Sequence, residues 1–330
     1  MAITQVPNSL LTQPVNHNIL INPSFTVFQR AGTTLSGDWG VDHDVNSYGP
    51  DRWELRGLNL VGGGKAQSST DSSSGINKLV VEHDGATDVS YTFQYIEAVN
   101  LLGLYGKEMT FSFSYSDVGG SGIPQAKVKS YDSSDTAKFL FDAVPTSLGD
   151  NRWSCTVTLT TEDGTIPDPS ERGMQVTIHP NEQNTAPDEW SAWETKLEAG
   201  SVATPFIARP YSEELVLCQR YFQAIEAVEE GTRVAQGGWA GTVNFECFLP
   251  IFTPLCSSPS VNLSTGWNVT KNGVTTEFDS TTVYTVLNKR GECHNIRMLF
   301  RFDTPEADKG SEGQLRANLA YCYIWIEAEL

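Results

Sequence analysis

The sequence predicts an all-β protein made of two jelly-roll-like β-sandwich domains joined by a short helix, and three observations lead to this prediction. In Met109–Tyr115 the odd positions are large and apolar while the even positions are Ser or Thr, as expected for a strand with one buried face. Clusters of small and turn-forming residues, such as Gly62–Gly64 and Lys271–Val274, separate stretches of this kind. Only the segment that follows Pro210 has helical spacing instead. Many short strands with frequent turns favour sandwiches.

The same alternation recurs further along the chain. It is present in Cys155–Leu159, Met174–Ile178 and Ile296–Phe302. The stretch Leu319–Ile326 differs because it is apolar on both faces. Such a strand is either central to a sandwich or pressed against another subunit, and the sequence leaves both alternatives open.

The helical segment lies between the two predicted sandwiches. Leu215 and Cys218 recur at helical spacing, Ser212 is predicted to cap the helix, and Glu213 and Glu214 suit the positive end of its dipole. We therefore expect three regions: an extended N-terminal arm over residues 1–17, a first sandwich over residues 18–209 and a second sandwich over residues 210–330.

The amino-acid composition and net charge limit the kinds of binding partner that we expect. The 330 residues include 40 acidic and 22 basic side chains, giving a net charge of −18 and a pI near 4.6. A surface this acidic repels phosphate backbones, so nucleic acid is not an expected partner. No segment approaches the roughly 20 apolar residues of a membrane span. The first charged residue is Arg30, and the preceding segment lacks the basic start and the continuous apolar core of a signal peptide.

No catalytic signature is recognisable, and we expect no enzyme. The five histidines are scattered, and neither a nucleophile elbow nor a phosphate-binding loop is present. The densest charged cluster, Asp42–Asp44, fits a solvated loop better than a metal or acid-base site. A glycan depolymerase would need a defined pair of catalytic carboxylates. With 40 acidic residues in the chain, the sequence does not identify which two would form that pair. The six cysteines have no CxxC spacing, which favours reduced, buried thiols.

Several linked motifs resemble those of a known family. The chain is similar to the carbohydrate-binding-module-like jelly roll of bacteriophage tail fibres and related virion proteins. The motifs are Asn18–Phe25 running on to Tyr48–Trp53, then Phe93–Glu97 and Leu104–Tyr115, and finally Trp193–Phe206 running on to Arg209–Gln223. Unlike a long fibre, the chain has no heptad, collagen-like or β-helix repeat.

The resemblance implies a function in host attachment. We expect a homotrimeric virion protein, assembled in the host cytoplasm, that docks onto other virion proteins through the arm of residues 1–17. Its C-terminal sandwich would adhere to a glycan on the host surface, with Leu319–Ile326 as a trimer contact. The chief alternative is a capsid or tail decoration or connecting protein that binds no glycan, and a glycan depolymerase is a third.

Two tryptophans are candidate sugar-binding residues. Sugars are held by stacking on aromatic rings and by polar groups that fix their hydroxyls, which favours Trp on loops. Trp239 lies among glycines and Trp267 lies beside a hairpin signal. For each, packing over its own sandwich or in a trimer seam is an equal alternative, whereas Trp53 and Trp193 are expected in the core.

The resemblance also implies a possible structural Ca²⁺. Carboxylates and carbonyl oxygens tie the first strand region to the last in many jelly-roll modules. The corresponding candidate ligands here are Asn22, Asp51, Asp188 and Glu189.

Overall fold

A computed structural model describes most of the chain. The described residues are 17–29, 34–35, 47–57, 65–70, 74–82, 90–169, 171–181, 189–227, 229–239, 242–264, 266–271, 274–277, 280–287, 293–302, 312–317 and 322–328. The predicted arm therefore lies outside the described residues except for His17. The chain forms two compact units whose boundary falls between Glu214 and Leu215.

The first unit is an antiparallel β-sandwich of two sheets, as predicted. Its described strands are β1 (Thr34–Leu35), β2 (Ser47–Tyr48), β3 (Glu54–Gly57), β4 (Lys65–Thr70), β5 (Asn77–Glu82), β6 (Ser90–Glu97), β7 (Glu108–Val118), β8 (Pro124–Tyr131), β9 (Ala137–Ala143), β10 (Thr146–Gly149), β11 (Arg152–Thr158), β12 (Arg172–Pro180) and β13 (Glu189–Ala199). A seven-stranded sheet has the order β1-β4-β5-β13-β7-β11-β10, and a six-stranded sheet has the order β2-β3-β6-β12-β8-β9. A 3₁₀ turn over Ala98–Leu101 follows β6.

The core of the first unit confirms the apolar half of the predicted alternation, whereas the expectation that the Ser and Thr positions of β7 face solvent is wrong, because Thr110, Ser112 and Ser114 are also buried. Met109, Phe111, Phe113 and Tyr115 of β7 are all buried in one apolar cluster. Trp53 belongs to the same cluster, as expected. Burying side chains of this size contributes about 1.5–3 kcal/mol each to stability, so the alternating strands account for much of the folding free energy.

The single described helix, α1, spans Tyr211–Gln219. The prediction that Ser212 caps it is wrong, because Ser212 lies within the first turn and the backbone amides of Glu213 and Glu214 donate to the carbonyl of Pro210. A proline before the first turn is favourable because it pre-sets the backbone angle. The acidic first turn is present as predicted, with Glu213 and Glu214 in it.

The second unit is also antiparallel and all-β. Its described strands are β14 (Phe222–Ala227), β15 (Arg233–Trp239), β16 (Asn244–Leu249), β17 (Ser260–Leu263), β18 (Trp267–Lys271), β19 (Val274–Thr276), β20 (Ser280–Leu287), β21 (Cys293–Arg301), β22 (Glu312–Ala317) and β23 (Cys322–Glu327). A three-stranded sheet has the order β14-β23-β17, and a seven-stranded sheet has the order β19-β18-β22-β15-β16-β21-β20.

The strand that is apolar on both faces is central in its sheet. In β23, Ile324 and Ile326 are buried, while Tyr323 and Trp325 on the other face are only partly buried and stack with ring centroids 4.4 Å apart. A central strand with one buried face and one aromatic face explains the sequence pattern within a single chain.

Two further findings concern the described residues only. Cys155, Cys218, Cys247 and Cys256 are buried, as predicted, and none of these four is in a disulfide bond. No helix among the described residues is long and apolar enough to cross a membrane.

Candidate functional site

The structure buries Trp239, which the sequence suggested as an exposed sugar-stacking residue. Its side chain is 3% exposed and packs between Phe245 and Phe302, with ring centroids 5.9 and 4.9 Å away. A Cβ atom added at Gly313 would lie 2.8 Å from the Phe245 ring and 3.4 Å from the indole nitrogen of Trp239. A nearby glycine therefore makes room for the aromatic cluster. The expectation of an exposed loop position is wrong for this residue.

Trp267 is buried in the same way. It begins β18, is 3% exposed, and its indole nitrogen donates a 3.1 Å hydrogen bond to the carbonyl of Tyr323. The sequence analysis gave two interpretations for Trp239 and Trp267, sugar binding or packing over their own sandwich. The structure agrees with packing for both.

Asn22 has a structural function that uses its whole side chain. Its amide nitrogen donates to the carbonyls of Val27 and Asp51 at 2.9 and 3.0 Å, and its amide oxygen accepts from the backbone amides of Thr26 and Val27 at 2.8 and 3.1 Å. The Asp51 carboxylate accepts from the backbone and side-chain amides of Gln29. These oxygens are already engaged by protein donors.

The candidate calcium ligands are not brought together as a set. The backbone amide of Thr195 donates to the carbonyl of Pro23, which fixes where β13 passes the Asn22 loop. Glu189 begins the same strand six residues earlier, roughly 20 Å away along an extended chain. Asp188 lies outside the described residues. Within the described part of the chain, no three acidic, histidine or cysteine side chains are grouped as they would be around a metal ion.

The face of the six-stranded sheet that points away from the sandwich core has an unusual composition. Inward-facing residues such as Ile96, Val128 and Met174 belong to the core cluster, so their alternating neighbours point outward. We call these neighbours the outer face. They are Glu54, Arg56, Tyr91, Phe93, Tyr95, Gln125, Lys127, Lys129, Tyr131, Phe139, Asp142, Arg172, Gln175, Thr177 and His179.

The outer face has a buried floor and a more exposed rim. Phe93, Tyr131, Gln175, Thr177 and His179 form the floor and are all buried. The rim includes the side chains of Arg56, Lys127 and Arg172, which are 38, 33 and 30% exposed. Polar side chains buried on the outside of a sheet need defined partners, so this floor is a specific arrangement rather than a solvated surface.

Arg172 organises one end of the outer face. Its guanidinium carbon lies 4.8 Å from the ring centroid of Tyr95 and 5.2 Å from that of Tyr131, and it also pairs with Asp135. The Tyr131 hydroxyl donates to the side-chain oxygen of Gln175 over 3.3 Å. Cation–π contacts and the ion pair hold the guanidinium in place while part of it stays accessible.

His179 lies at the opposite end of the floor. Its Nδ1 atom is 2.7 Å from the carbonyl oxygen of Pro180, so Nδ1 carries the proton and Nε2 is left as an acceptor. Nε2 is buried and has no hydrogen-bond partner among the residues that the structure describes. Burial lowers the pKa of His179 to about 4, and the charge of Lys127 adds to this effect. The ring is therefore neutral at physiological pH and presents an unused acceptor.

The lysines of β8 differ in their partners. Lys127 lies 3.7 Å from Asp142, which also accepts a 2.7 Å hydrogen bond from the Gln125 amide. Lys129 extends over the exposed ring of Phe139, with its ammonium 4.7 Å from the centroid. Among the described residues, no carboxylate lies within ion-pairing distance of Lys129.

This arrangement combines rings with directional polar groups, which is the chemistry that sugars require. Partly buried rings can cover the C–H face of a pyranose, while amide, imidazole and guanidinium groups can fix its hydroxyls. The sequence analysis missed these residues. A signal was present, because the outward positions of β6 are Tyr91, Phe93 and Tyr95, where a solvated face normally carries small polar residues.

Comparison with known proteins gives structural similarity without sequence relatives. No protein-family model matches the chain, and a search of curated proteins found no significant match. Similar solved structures include the enzymatically active domain of tailspike protein 4 from bacteriophage CBA120, with 10% identity and a TM-score of 0.31. That match covers 56% of this chain and 21% of the tailspike domain, so the chain corresponds to about one fifth of that protein.

Two other similar structures are matched over their whole length. A family 11 carbohydrate-binding module from Clostridium thermocellum, solved with a β-1,3-1,4-mixed-linked tetrasaccharide, has 11% identity and a TM-score of 0.29, covering 53% of this chain and 100% of the module. A Stig cyclase from Fischerella sp. TAU has 11% identity and a TM-score of 0.35, covering 57% of this chain and 100% of the cyclase.

Proposed function

We propose that the protein is a non-enzymatic glycan-binding adhesin of a phage virion and that the outer face of the six-stranded sheet is its sugar-binding site. The observation that carries the proposal is the floor of that face, where buried rings alternate with buried polar groups and His179 retains an unpartnered acceptor. A buried acceptor without a partner calls for an explanation, and a bound sugar hydroxyl would supply one. The proposed binding site is thus in the first sandwich, whereas the sequence analysis expected it in the second.

Arg172, Tyr95 and Tyr131 would form the principal binding group. Their contacts hold a guanidinium edge beside two rings, an arrangement in which the half-buried Tyr95 ring can contact a sugar ring while the accessible guanidinium donates to its oxygens. Side chains fixed by their neighbours lose little conformational freedom when a ligand binds. A shallow site of this kind gains from repetition, and a homotrimer present in several copies would supply the necessary avidity.

The assignment to a virion rests on the sequence motifs. The Asn18–Phe25 and Tyr48–Trp53 motifs resemble the opening of the tail-fibre jelly roll, and the uncharged residues 1–17 suit docking onto other virion proteins by strand addition. Assembly would take place in the host cytoplasm. A bound Ca²⁺ is not part of the proposal, because the Asn22 side chain is fully hydrogen-bonded.

An adsorption-competition assay tests the proposal. Purified full-length protein is added to host cells before virus, and we expect it to slow viral adsorption. Arg172→Met removes the guanidinium and should abolish this inhibition. The matched control is Lys78→Met, since Lys78 makes the same kind of contact with Trp193, 4.5 Å away, on the other sheet.

Three outcomes would contradict the proposal in different ways. If saturating wild-type protein leaves adsorption unchanged and binds only particles that lack it, the protein is a decoration or connecting component. If incubation with host polysaccharide releases reducing ends, it is a depolymerase. If Arg172→Met inhibits as well as wild type, the sugar site lies elsewhere in the chain.

A further inference from the structure

The charge of the outer face identifies a ligand class more closely than glycan binding alone. In a chain with 40 acidic and 22 basic residues, four cations lie on this one face: Arg56, Lys127, Lys129 and Arg172. Three of them have an acidic partner: Arg56 lies 3.1 Å from Glu54, Lys127 lies 3.7 Å from Asp142, and Arg172 pairs with Asp135. Lys129 is the exception.

Lys129 borders the buried floor from one side. Within the described chain its ammonium has no carboxylate in reach and rests against Phe139. Arg56 borders the same floor from the other side, because its strand β3 is separated from β8 by β6 and β12, which carry four of the five floor residues. Burial lowers the pKa of Lys129, and the charges of Lys127 and Arg56 lower it further against the opposing effect of Asp142.

A partly buried ammonium without a counterion carries a desolvation cost that a bound anion would offset. A neutral sugar offers nothing of this kind. An anionic substituent placed over the floor would lie between the positive charges of Lys129 and Arg56.

His179 adds a second condition on the ligand, besides the anionic group expected beside Lys129. Its buried Nε2 accepts no hydrogen bond from any described residue, and a sugar hydroxyl that reached this position would be a suitable donor. His179 pairs across the sheet with Gln125, and Lys129 lies four residues further along the same strand. The Cα atoms of Gln125 and Lys129 are therefore about 13 Å apart along β8, which is longer than one sugar ring.

We infer that the ligand is an acidic oligosaccharide, with a hydroxyl that donates to Nε2 of His179 and a carboxylate or sulfate group that pairs with Lys129. This inference rests on the proposed sugar-binding function of the outer face and adds the charge and the minimum length of the glycan.

A glycan panel with matched charged and uncharged members tests the inference. Purified full-length protein is titrated with oligogalacturonates and their methyl-esterified counterparts, with dextran sulfate and dextran, and with the corresponding monosaccharides, as part of a broad array of acidic and neutral oligosaccharides. We expect acidic oligosaccharides to bind at least about tenfold more tightly than their uncharged counterparts. Comparing the oligogalacturonates with dextran sulfate shows whether the protein prefers a carboxylate or a sulfate group. Added salt should weaken the binding of the acidic glycans and leave the binding of the uncharged ones unchanged.

Two lysine variants locate the effect. Lys129→Met keeps the aliphatic stem over Phe139 and should lose about tenfold in affinity for the acidic glycan, with unchanged affinity for any neutral one. Lys138→Met is the control, because Lys138 pairs with Ser130 and so lies on the opposite side of the same sheet edge. Thermal unfolding of both variants checks that they are folded.

The results separate the inference from the proposed function. Equal affinity for charged and uncharged members, or an unchanged affinity of Lys129→Met, overturns the acidic-glycan inference and leaves sugar binding intact. Monosaccharides that bind as tightly as oligosaccharides overturn the length requirement. If no acidic or neutral member of the array binds the folded protein, both the inference and the proposed function are wrong.

Discussion

The indole nitrogen of Trp53 donates a 3.0 Å hydrogen bond to the backbone carbonyl of Asn22. Both residues are fully buried, and each belongs to one of the two opening motifs of the first sandwich. The bond therefore joins two chain segments that lie 31 positions apart in the sequence. It explains why a tryptophan occurs at position 53, while residue 22 contributes only its backbone to this bond.

We expect Asn22→Ala to destabilise the first unit by about 2–4 kcal/mol, because it leaves several buried backbone groups of the Thr26, Val27 and Asp51 region without partners. Asn22 also has a φ angle of 52°, a left-handed conformation that alanine disfavours. Urea unfolding measures the loss. Asn22→Gly removes the side chain but tolerates this angle, so it should be the less damaging of the two, and equal stability of all three proteins would contradict the network.

Replacing either buried tryptophan of the second unit should affect folding more than binding. Trp239→Ala and Trp267→Ala each remove a large core side chain, and we expect a loss of about 3–5 kcal/mol. Thermal unfolding and glycan binding are measured on the same preparations. Trp267→Phe keeps a ring but loses the hydrogen bond to Tyr323, so its loss should be smaller. A stable Trp239→Ala protein with abolished glycan binding would restore Trp239 as a site residue.

The stability of the first unit should depend on the protonation of His179. Its pKa of about 4 in the folded chain lies below the ordinary value of 6.5, so protons bind the unfolded chain more readily. This contribution is fully present above pH 6.5 and is lost as the pH falls towards 4, by about 3 kcal/mol in total. Burial is the main cause, while Lys127 lowers the pKa and Asp142 raises it.

Urea unfolding of wild type and His179→Asn across this pH range checks the prediction. Other carboxylates titrate in the same range in both proteins, so the difference between the two curves isolates the histidine. We expect the variant to lose less stability between pH 6.5 and 4. Parallel curves would show that His179 titrates normally in the folded protein.

Two cysteines should resist alkylation until the chain unfolds. Burial raises the pKa of Cys155 and of Cys247 to about 12, so almost none of either thiol is in the reactive thiolate form near pH 8. Iodoacetamide labelling followed by peptide mass spectrometry should detect neither cysteine in native protein and both in urea. Labelling of native protein at the rate of a free thiol would mean that these strands open locally.

The sequence predicted the fold more fully than the site, and particular residues show why. The apolar positions of Met109–Tyr115 mark the side of one strand that enters the core, so they can be read locally, although the Ser and Thr side is buried as well. The burial of Trp239 depends on Gly313, which is distant in sequence and becomes a neighbour only in the folded sheet. Glycines beside a tryptophan therefore do not distinguish an exposed ring from one packed against a glycine elsewhere.

The outer face was missed for a related reason. Tyr95, Tyr131 and Arg172 come from three different strands, and only the strand order β6-β12-β8 brings them together. A search for aromatic residues on loops overlooks rings that alternate along strands. Cross-strand neighbours of this kind require the register of the sheet, which a single sequence does not provide.

The position of β13 in its sheet has a consequence for biosynthesis. Glu189–Ala199 is the last strand of the first unit to be made, yet it pairs with β5 on one side and β7 on the other. Until the ribosome has released this segment, the facing edges of Asn77–Glu82 and Glu108–Val118 have no native strand between them. Nascent chains interrupted before residue 189 should therefore expose two unpaired strand edges that can pair with other chains. We expect the binding of chaperones to the nascent chain to be strongest at this stage of translation.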